Sequence, residues 1–385
     1  ERIESITEST DAPITVIRSK PDYRSKTNWP SNVRIYNVSP SRGANVSLKW
    51  MKPLVFFLHV FQATLFSLVL MIRDGQKATV VHGFDYALGG TAATTISLIC
   101  RCPLVLSVRG YKQSVYKSKC DHGGIGSIIS YMILNILTNF ALSHASYVIT
   151  KAEYQQGLVK ERIPEQAKIV SIPTGVNFNK FDNNTTGGEV IYDLFPCVRR
   201  KEEEVEEQFR VLFLGKITPE KGVDVLLNHI KNGDRFNCGP TFILVGDVRS
   251  ESFLESIEAD AERATSDVLI HPSRIPFSDV PGLIDSVDAV VLLSEPSHEG
   301  VPRVLQEACA MQTPIIAADV PGITNAFQDL PGCYLIDRES TDDFVNAVNE
   351  IYYSDHNMGH EEFINRFNMK RNYAQYVRIY ESLST

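Results

Sequence analysis

Ala289-Val-Val-Leu-Leu-Ser294, a short loop, and then His298-Glu-Gly-Val-Pro-Arg-Val-Leu-Gln-Glu307 decide how this chain reads. The first part is a continuous apolar run, as expected of a parallel strand buried on both faces. Pro302 suits the first position of a helix. Val304, Leu305, Ala308 and Met311 then fall on one helical stripe. Glu307 lies off that stripe, about two turns into the helix, where it can face a cleft. A helix start offers unpaired backbone N–H groups and the positive end of a dipole, which suits a phosphate. Glu299 in the loop and Glu307 on the helix can accept hydrogen bonds from sugar or ribose hydroxyls. The arrangement suits a nucleotide sugar. A plainer alternative is a surface pair between Arg303 and Glu307, four apart and worth about 0.2–0.5 kcal/mol. The spacing alone does not choose between them; the surrounding sequence does.

Outward from this unit, strand-like and helix-like runs alternate. In the first half the strand candidates are 14–17, 33–36, 79–82, 104–107, 147–149 and 168–172. In the second they are 210–214, 241–245, 268–270, 289–293, 314–317 and 334–336. Many are unbroken Val/Ile/Leu runs with helical stretches between them, the βαβ pattern of a doubly wound parallel sheet. The polar, Gly-rich segment 183–188 and the charge run 199–207 interrupt the pattern, which then restarts. The fold class is therefore α/β, two Rossmann-like domains facing a cleft. The expected boundaries are 1–180 for the first domain, 181–208 for a linker, 209–360 for the second domain, and 361–385 for a terminal helix that crosses back to the first domain.

The bulk composition narrows the function. The 385 residues are 43% hydrophobic and 22% charged, as in a soluble globular protein of two domains, and the net charge of −8 gives no support for nucleic-acid binding. Seven cysteines without a Cys-x-x-Cys fit reduced thiols of a cytosolic chain. Nine scattered histidines without His-Glu-x-x-His argue against zinc. The apolar segment 53–72 is interrupted by His59, Gln62, Thr64 and Ser67. It reads as a buried or membrane-surface helix in preference to a spanning one. The apolar stretch 125–142 reads as a domain helix.

Further polar residues gather at strand ends. Gly215 and Lys216 end one strand, and Lys221 follows a turn later. Two lysines five apart at a strand's carboxyl end are placed to meet a diphosphate, although exposed lysines are common everywhere. Gly246 and Asp247 end the next strand, where glycine permits close backbone approach. In the first half, His82 and Asp85 follow one strand and Arg109 another, at loops expected on the cleft. A lone His there is more often structural. No Asp-x-Asp occurs in the chain, which fits charge neutralisation by lysines and a helix dipole.

Taken together, these blocks resemble glycosyltransferase family 4, retaining enzymes of the GT-B fold. The matching residues are Ile172-Pro-Thr-Gly-Val-Asn177 through Phe181, Val211 to Asp224, Leu244-Val-Gly-Asp247, Ser294 to Gly300, Glu307-Ala308, Pro314 to Ala317, and Gly322. They run in the family's order and spacing over about residues 170–335, with a looser likeness over 79–160. The resemblance implies that Lys216 and Lys221 bind the donor diphosphate, that Glu307 holds the ribose, and that Glu299 meets the donor sugar. Gly300 and Val301 would lend backbone N–H groups. It implies a retaining, metal-independent hexosyltransferase with no cofactor beyond its substrate, a UDP- or GDP-sugar. The acceptor would be a glycan or lipid-linked saccharide. Such an enzyme would be cytoplasmic, with peripheral contact at the inner membrane face left open.

Departures from the family pattern leave a rival. Arg109 stands where many members carry a histidine near the anomeric centre, and Val301-Pro302-Arg303 replaces a commoner Phe-Gly. The family's first strand and Gly-rich loop are not legible, so the amino-terminal domain is expected to lack its first strand. The alternative function is a catalytically inactive nucleotide-sugar-binding partner or regulatory subunit.

Overall fold

The computed structural model describes residues 6, 10, 12, 14–18, 33–37, 52–75, 78–108, 125–181, 188–198, 208–232, 235–248, 250–296, 300–354 and 360–384. The chain forms two compact units. Unit 1 comprises Glu1–Pro173 with Lys370–Thr385, and unit 2 comprises Thr174–Met369.

In unit 1, β1 (Ile14–Arg18) and β2 (Val33–Asn37) precede α1 (Lys52–Asp74). Then β3 (Val81–Gly83), α2 (Leu88–Cys100), β4 (Leu104–Ser107), α3 (Ile125–Leu142), β5 (Tyr147–Thr150), α4 (Tyr154–Lys160) and β6 (Lys168–Ser171) follow. A parallel four-stranded sheet runs in the order β3-β4-β5-β6, while among the described residues β1 and β2 pair only with each other. The six strand-like runs of the first half therefore do not share one sheet among the described residues. Periodicity marks a strand without choosing its partner. The core of this unit lies around Leu104, Leu106, Ala141, Leu142 and Val148.

Unit 2 contains α5 (Gly188–Leu194), β7 (Arg210–Leu214), α6 (Val223–Asn232), β8 (Thr241–Val245), α7 (Glu251–Ala261), β9 (Val268–His271), α8 (Val280–Asp285) and β10 (Ala289–Leu292). It continues through α9 (Arg303–Ala310), β11 (Ile315–Ala318), α10 (Pro321–Phe327), β12 (Cys333–Ile336), α11 (Thr341–Tyr353) and α12 (His360–Phe367). Its sheet is parallel with six strands in the order β12-β11-β10-β7-β8-β9. Renumbered from β7, this is the Rossmann strand order, with its switch point between β7 and β10. Every residue of β8, β10 and β11 is buried. Their continuous apolar sequence follows from helices covering both faces. Each buried Leu, Ile or Phe contributes roughly 1.5–3 kcal/mol relative to exposure.

Three boundaries differ from the sequence reading. The segment 181–208 is not all linker: Ile191, Phe195 and Val198 are buried in the core of unit 2, and α5 packs on α8. The unit boundary falls at Thr174, not at 181. The terminal helix is two helices. α12 stays in unit 2, whereas α13 (Met369–Ser384) lies mostly in unit 1. They part at Asn368, which forms an isolated parallel bridge with Val176. The six cysteines among the described residues are free thiols. No helix among them is long and apolar enough to cross a membrane.

Candidate active site

The switch point of the unit 2 sheet brings together the segments after β7, β8 and β10. Gly215 N–H donates to the Val245 carbonyl (3.0 Å), and Ile217 N–H donates to the Asp247 carbonyl (3.1 Å). Gly246 has a φ of 155°, and a Cβ built there would lie 1.5 Å from the Gly215 carbonyl oxygen. Only glycine lets these two segments approach so closely. On the other side, Glu295 N–H donates to the Glu220 carbonyl (3.1 Å). Gly222, in the left-handed region at φ 74°, faces the Leu293 backbone; a Cβ there would be 1.9 Å from its carbonyl oxygen. The lysine turn after β7 is thus locked by backbone onto the segment that follows β10.

Lys221 ends the short 3-10 turn Pro219–Lys221. It is half-buried, and Lys216 beside the strand end is exposed. Burial first, and then the positive charge of Lys216, push the Lys221 ammonium down from 10.5 to about 8 against the opposing charge of Glu220. A lysine held partly desolvated beside a second cation is costly, and such costs concentrate at functional sites.

Glu307 lies in α9, whose first helical residue is Arg303; Pro302 is the extended N-cap residue, not the first helical position expected from sequence. Glu307 therefore sits just past the first turn. It is only 7% exposed. The expectation that it lies off the buried stripe also needs correcting, because every residue from Leu305 to Ala310 is buried. The Arg303 guanidinium lies 3.4 Å from the Glu307 carboxylate and packs over the Phe277 ring at 5.6 Å. The Arg303–Glu307 pair is thus real, but its acid is buried. Gly300 and Val301 are half-buried, and the Val301 carbonyl accepts a hydrogen bond from Gln306 Nε2 (3.3 Å).

Asp247 is tied by a 2.8 Å ion pair to Arg274, from the segment after β9. No sequence signal marked Arg274. Glu299, expected to meet the donor sugar, and Arg109, expected near the anomeric centre, lie outside the described residues. In unit 1, His82 Nδ1 lies 2.5 Å from Tyr380 Oη and Nε2 lies 2.8 Å from Ser107 Oγ. Its ring stacks on Phe84. Burial raises the Tyr380 hydroxyl far above its ordinary range. Both ring nitrogens of His82 therefore hold neighbours within unit 1. Asp85 Oδ1 accepts from Ala87 N–H (2.6 Å) just before α2, as a turn-forming carboxylate does.

A Rossmann-order sheet carrying lysines and a buried acid around its switch point is a doubly wound α/β arrangement, whose ligands bind at such a switch point. Residues 196–368 match the family described as glycosyl transferases group 1. The chain is similar to TuaC of Bacillus subtilis, which carries the name of a teichuronic acid biosynthesis glycosyltransferase, at 24% identity over 80% of this chain and 67% of that protein. It superposes on Anabaena Alr3699/HepE, solved in complex with UDP and glucose, with a TM-score of 0.63 and 19% identity, over 91% of this chain and 86% of the other. It also superposes on sucrose-phosphate synthase from Thermosynechococcus elongatus with a TM-score of 0.68 and 14% identity, over 99% and 92% of the two chains. The fold is that of the GT-B glycosyltransferases. Residues 196–368 are thus similar to the glycosyl transferases group 1 family, and the chain as a whole is similar to glycosyltransferases.

Proposed function

We propose that the chain transfers a sugar from a nucleotide-sugar donor to a glycan or lipid-linked saccharide, with retention and without a metal. UDP-sugars are the first donors to test, because UDP is what the Alr3699/HepE structure holds. The observation that carries the reading is the lysine turn locked onto the segment after β10 at the switch point. In the proposed step the bond from the anomeric carbon to the phosphate oxygen breaks, and its electron pair leaves with the diphosphate. The acceptor oxygen bonds the same face of that carbon, and its proton passes to the departing phosphate. Lys216, Lys221, and the backbone N–H groups of Gly300 and Val301 neutralise the developing charge, as fixed donors do in other sites. Gly215 and Gly246 let the backbone approach the phosphates, and Asp247 holds the shape of that wall through Arg274. Glu307 accepts the ribose hydroxyls, and Glu299 accepts those of the donor sugar. Arg109, Asp85 and His82 belong to the acceptor side of the reading, His82 through the wall it shares with Tyr380.

Glu307→Ala is expected to weaken UDP binding roughly tenfold to a hundredfold, the worth of hydrogen bonds to a charged group, as measured by calorimetry. Binding equal to that of the parent would remove Glu307 from the site.

Lys221 also sets a pH dependence. Free, it loses its proton near pH 8; a bound diphosphate favours the charged form and raises that value. Above about pH 8 the bound state therefore holds more protons than the free state. Affinity for UDP should fall as pH rises through that window, approaching about tenfold per pH unit. The same depression makes the folded chain bind fewer protons than the unfolded chain between about 8 and 10.5, so stability rises with pH across that range. A pH-independent affinity from neutrality to pH 9.5 would contradict the assignment of Lys221.

A further inference from the structure

Gln306 of α9 is fully buried, at 0% exposure. Its side-chain Oε1 has no hydrogen-bond partner among the described residues. An amide oxygen buried without a donor destabilises a fold, so such an orphan needs a reason. An apolar side chain of the same length would fill this place without that penalty. The other half of the amide supplies the reason. Gln306 Nε2 donates to the Val301 carbonyl (3.3 Å), and the Gln306 backbone N–H donates to the Pro302 carbonyl (3.3 Å). One residue therefore holds two successive carbonyls where the loop enters α9. The local sequence explains why a side chain is needed there. Proline has no N–H, so the peptide joining Val301 to Pro302 can be anchored only through its carbonyl. Pro302 is also the N-cap residue and makes no side-chain cap, whereas Ser, Thr, Asp or Asn would tie the first turn from that position. A chain that enters a helix through Val-Pro lacks both ordinary ties, and the Gln306 amide, one turn inside the helix, replaces them.

We propose that Gln306 is a positioning residue for sugar transfer: its amide fixes the backbone of Gly300 and Val301, whose N–H groups meet the donor diphosphate. What those groups meet rests on the transfer reading above; what holds them rests on the hydrogen bonds alone. Holding the Val301 carbonyl restricts the ψ of Val301, and with it the direction in which the Val301 N–H can point. Fixed donors lower a barrier when they are already aimed at the place where charge develops. A slack loop keeps the same groups and loses their aim. The next residue, Glu307, carries the carboxylate assigned to the ribose, so one turn of α9 sets both the loop and the acid. Gln306 acts through the loop and touches no donor atom in this scheme.

Gln306→Met tests this, because it keeps the length of the side chain and removes both polar atoms. Its melting temperature should stay level or rise, since the orphaned acceptor is gone. With a UDP-sugar, kcat per folded molecule should fall about tenfold, less than on deleting a donor outright, because the N–H groups remain but have lost their aim. KM for the donor should change by less than about threefold, as for an interaction realised mainly in the transition state. Hydrogen exchange at the Gly300 and Val301 amides should quicken about tenfold, because the loop opens more readily. Leu305→Met, at the adjacent fully buried position, is the packing control and should leave kcat and exchange as in the parent. Gln306→Leu is the second variant, with the same expectations, should methionine fail to pack. The proposal is overturned if either kcat or amide exchange in the Gln306 variants matches the parent, or if lost turnover merely follows a lower melting temperature. A parent that never turns a donor over would strike the transfer reading instead. Faster exchange in Gln306→Met would then still establish its hold on the loop, and unchanged exchange would end that as well.

Discussion

Lys221→Ala is expected to lower kcat for sugar transfer about 10²–10³-fold, the range seen when one fixed donor to a developing negative charge is removed. The fold should survive the change. Lys221 is half-buried and its ammonium is disfavoured in the folded chain, chiefly by burial and then by Lys216. At neutral pH the lysine is charged, so the folded chain carries that desolvation cost and the alanine variant does not. Its melting temperature should therefore stay level or rise, while turnover collapses. Activity and stability moving in opposite directions is the signature of a group kept for function at a cost in stability. The parent's pH-dependent UDP affinity should flatten in the variant, because the group that takes up the proton is gone. Steady-state kinetics with a UDP-sugar and a thermal melt on the same preparation decide the matter. Unchanged kcat would end the assignment. If the parent itself binds UDP yet never turns a donor over, the reading as an inactive nucleotide-sugar-binding partner takes the place of the enzyme.

The second large effect is steric. Gly246→Ala should destabilise unit 2 by about 3 kcal/mol, roughly 6–12 °C in Tm for a unit of this size. The new Cβ would occupy the space of the Gly215 carbonyl oxygen, 1.5 Å away, and the backbone there has a φ of 155°. The segments after β7 and β8 must part to admit it, carrying Lys216 away from its place beside the strand end. UDP binding should fall with stability. Gly215→Ala is the contrast. A Cβ on Gly215 would meet only the Phe213 ring at 3.8 and 3.9 Å, an ordinary contact, so the melt should be nearly unchanged. If the donor diphosphate lies against this backbone, the same substitution should still weaken UDP binding about tenfold, since the added methyl fills space that the phosphate needs. A Gly215→Ala variant that binds UDP like the parent would place the diphosphate elsewhere.

Much of the fold was legible because its signals are local. Arg210–Leu214 and Thr241–Val245 coincide with the strands read from their apolar runs, and Ile125–Leu142 with the helix. A strand buried on both faces has no other way to be written. The lysine turn and the acid-bearing helix were legible as residue types at strand ends. What sequence could not supply was neighbourhood. The period of a strand or helix does not say that the segment after β7 will bond the segment after β10, as Glu295 does to Glu220. Nor does it say that β1 and β2 will form a sheet of their own. Glu307 looked free of the apolar stripe and is buried, because α9 packs against α8 and α12 as well as against β10 and β11. His82 looked available and instead lies against Tyr380, 298 residues away.

By itself, then, the order of amino acids determined which segments are strands and helices, that the sheets are parallel, and that cations and acids stand at strand ends in a glycosyltransferase's order. Those properties follow from periodicity and side-chain chemistry within a few residues. Tertiary structure alone decided the strand order that creates the switch point, the close glycine approaches that seal it, and the half-burial that drives the Lys221 ammonium down. Each depends on which distant atoms exclude water from a given side chain, and no local pattern encodes that.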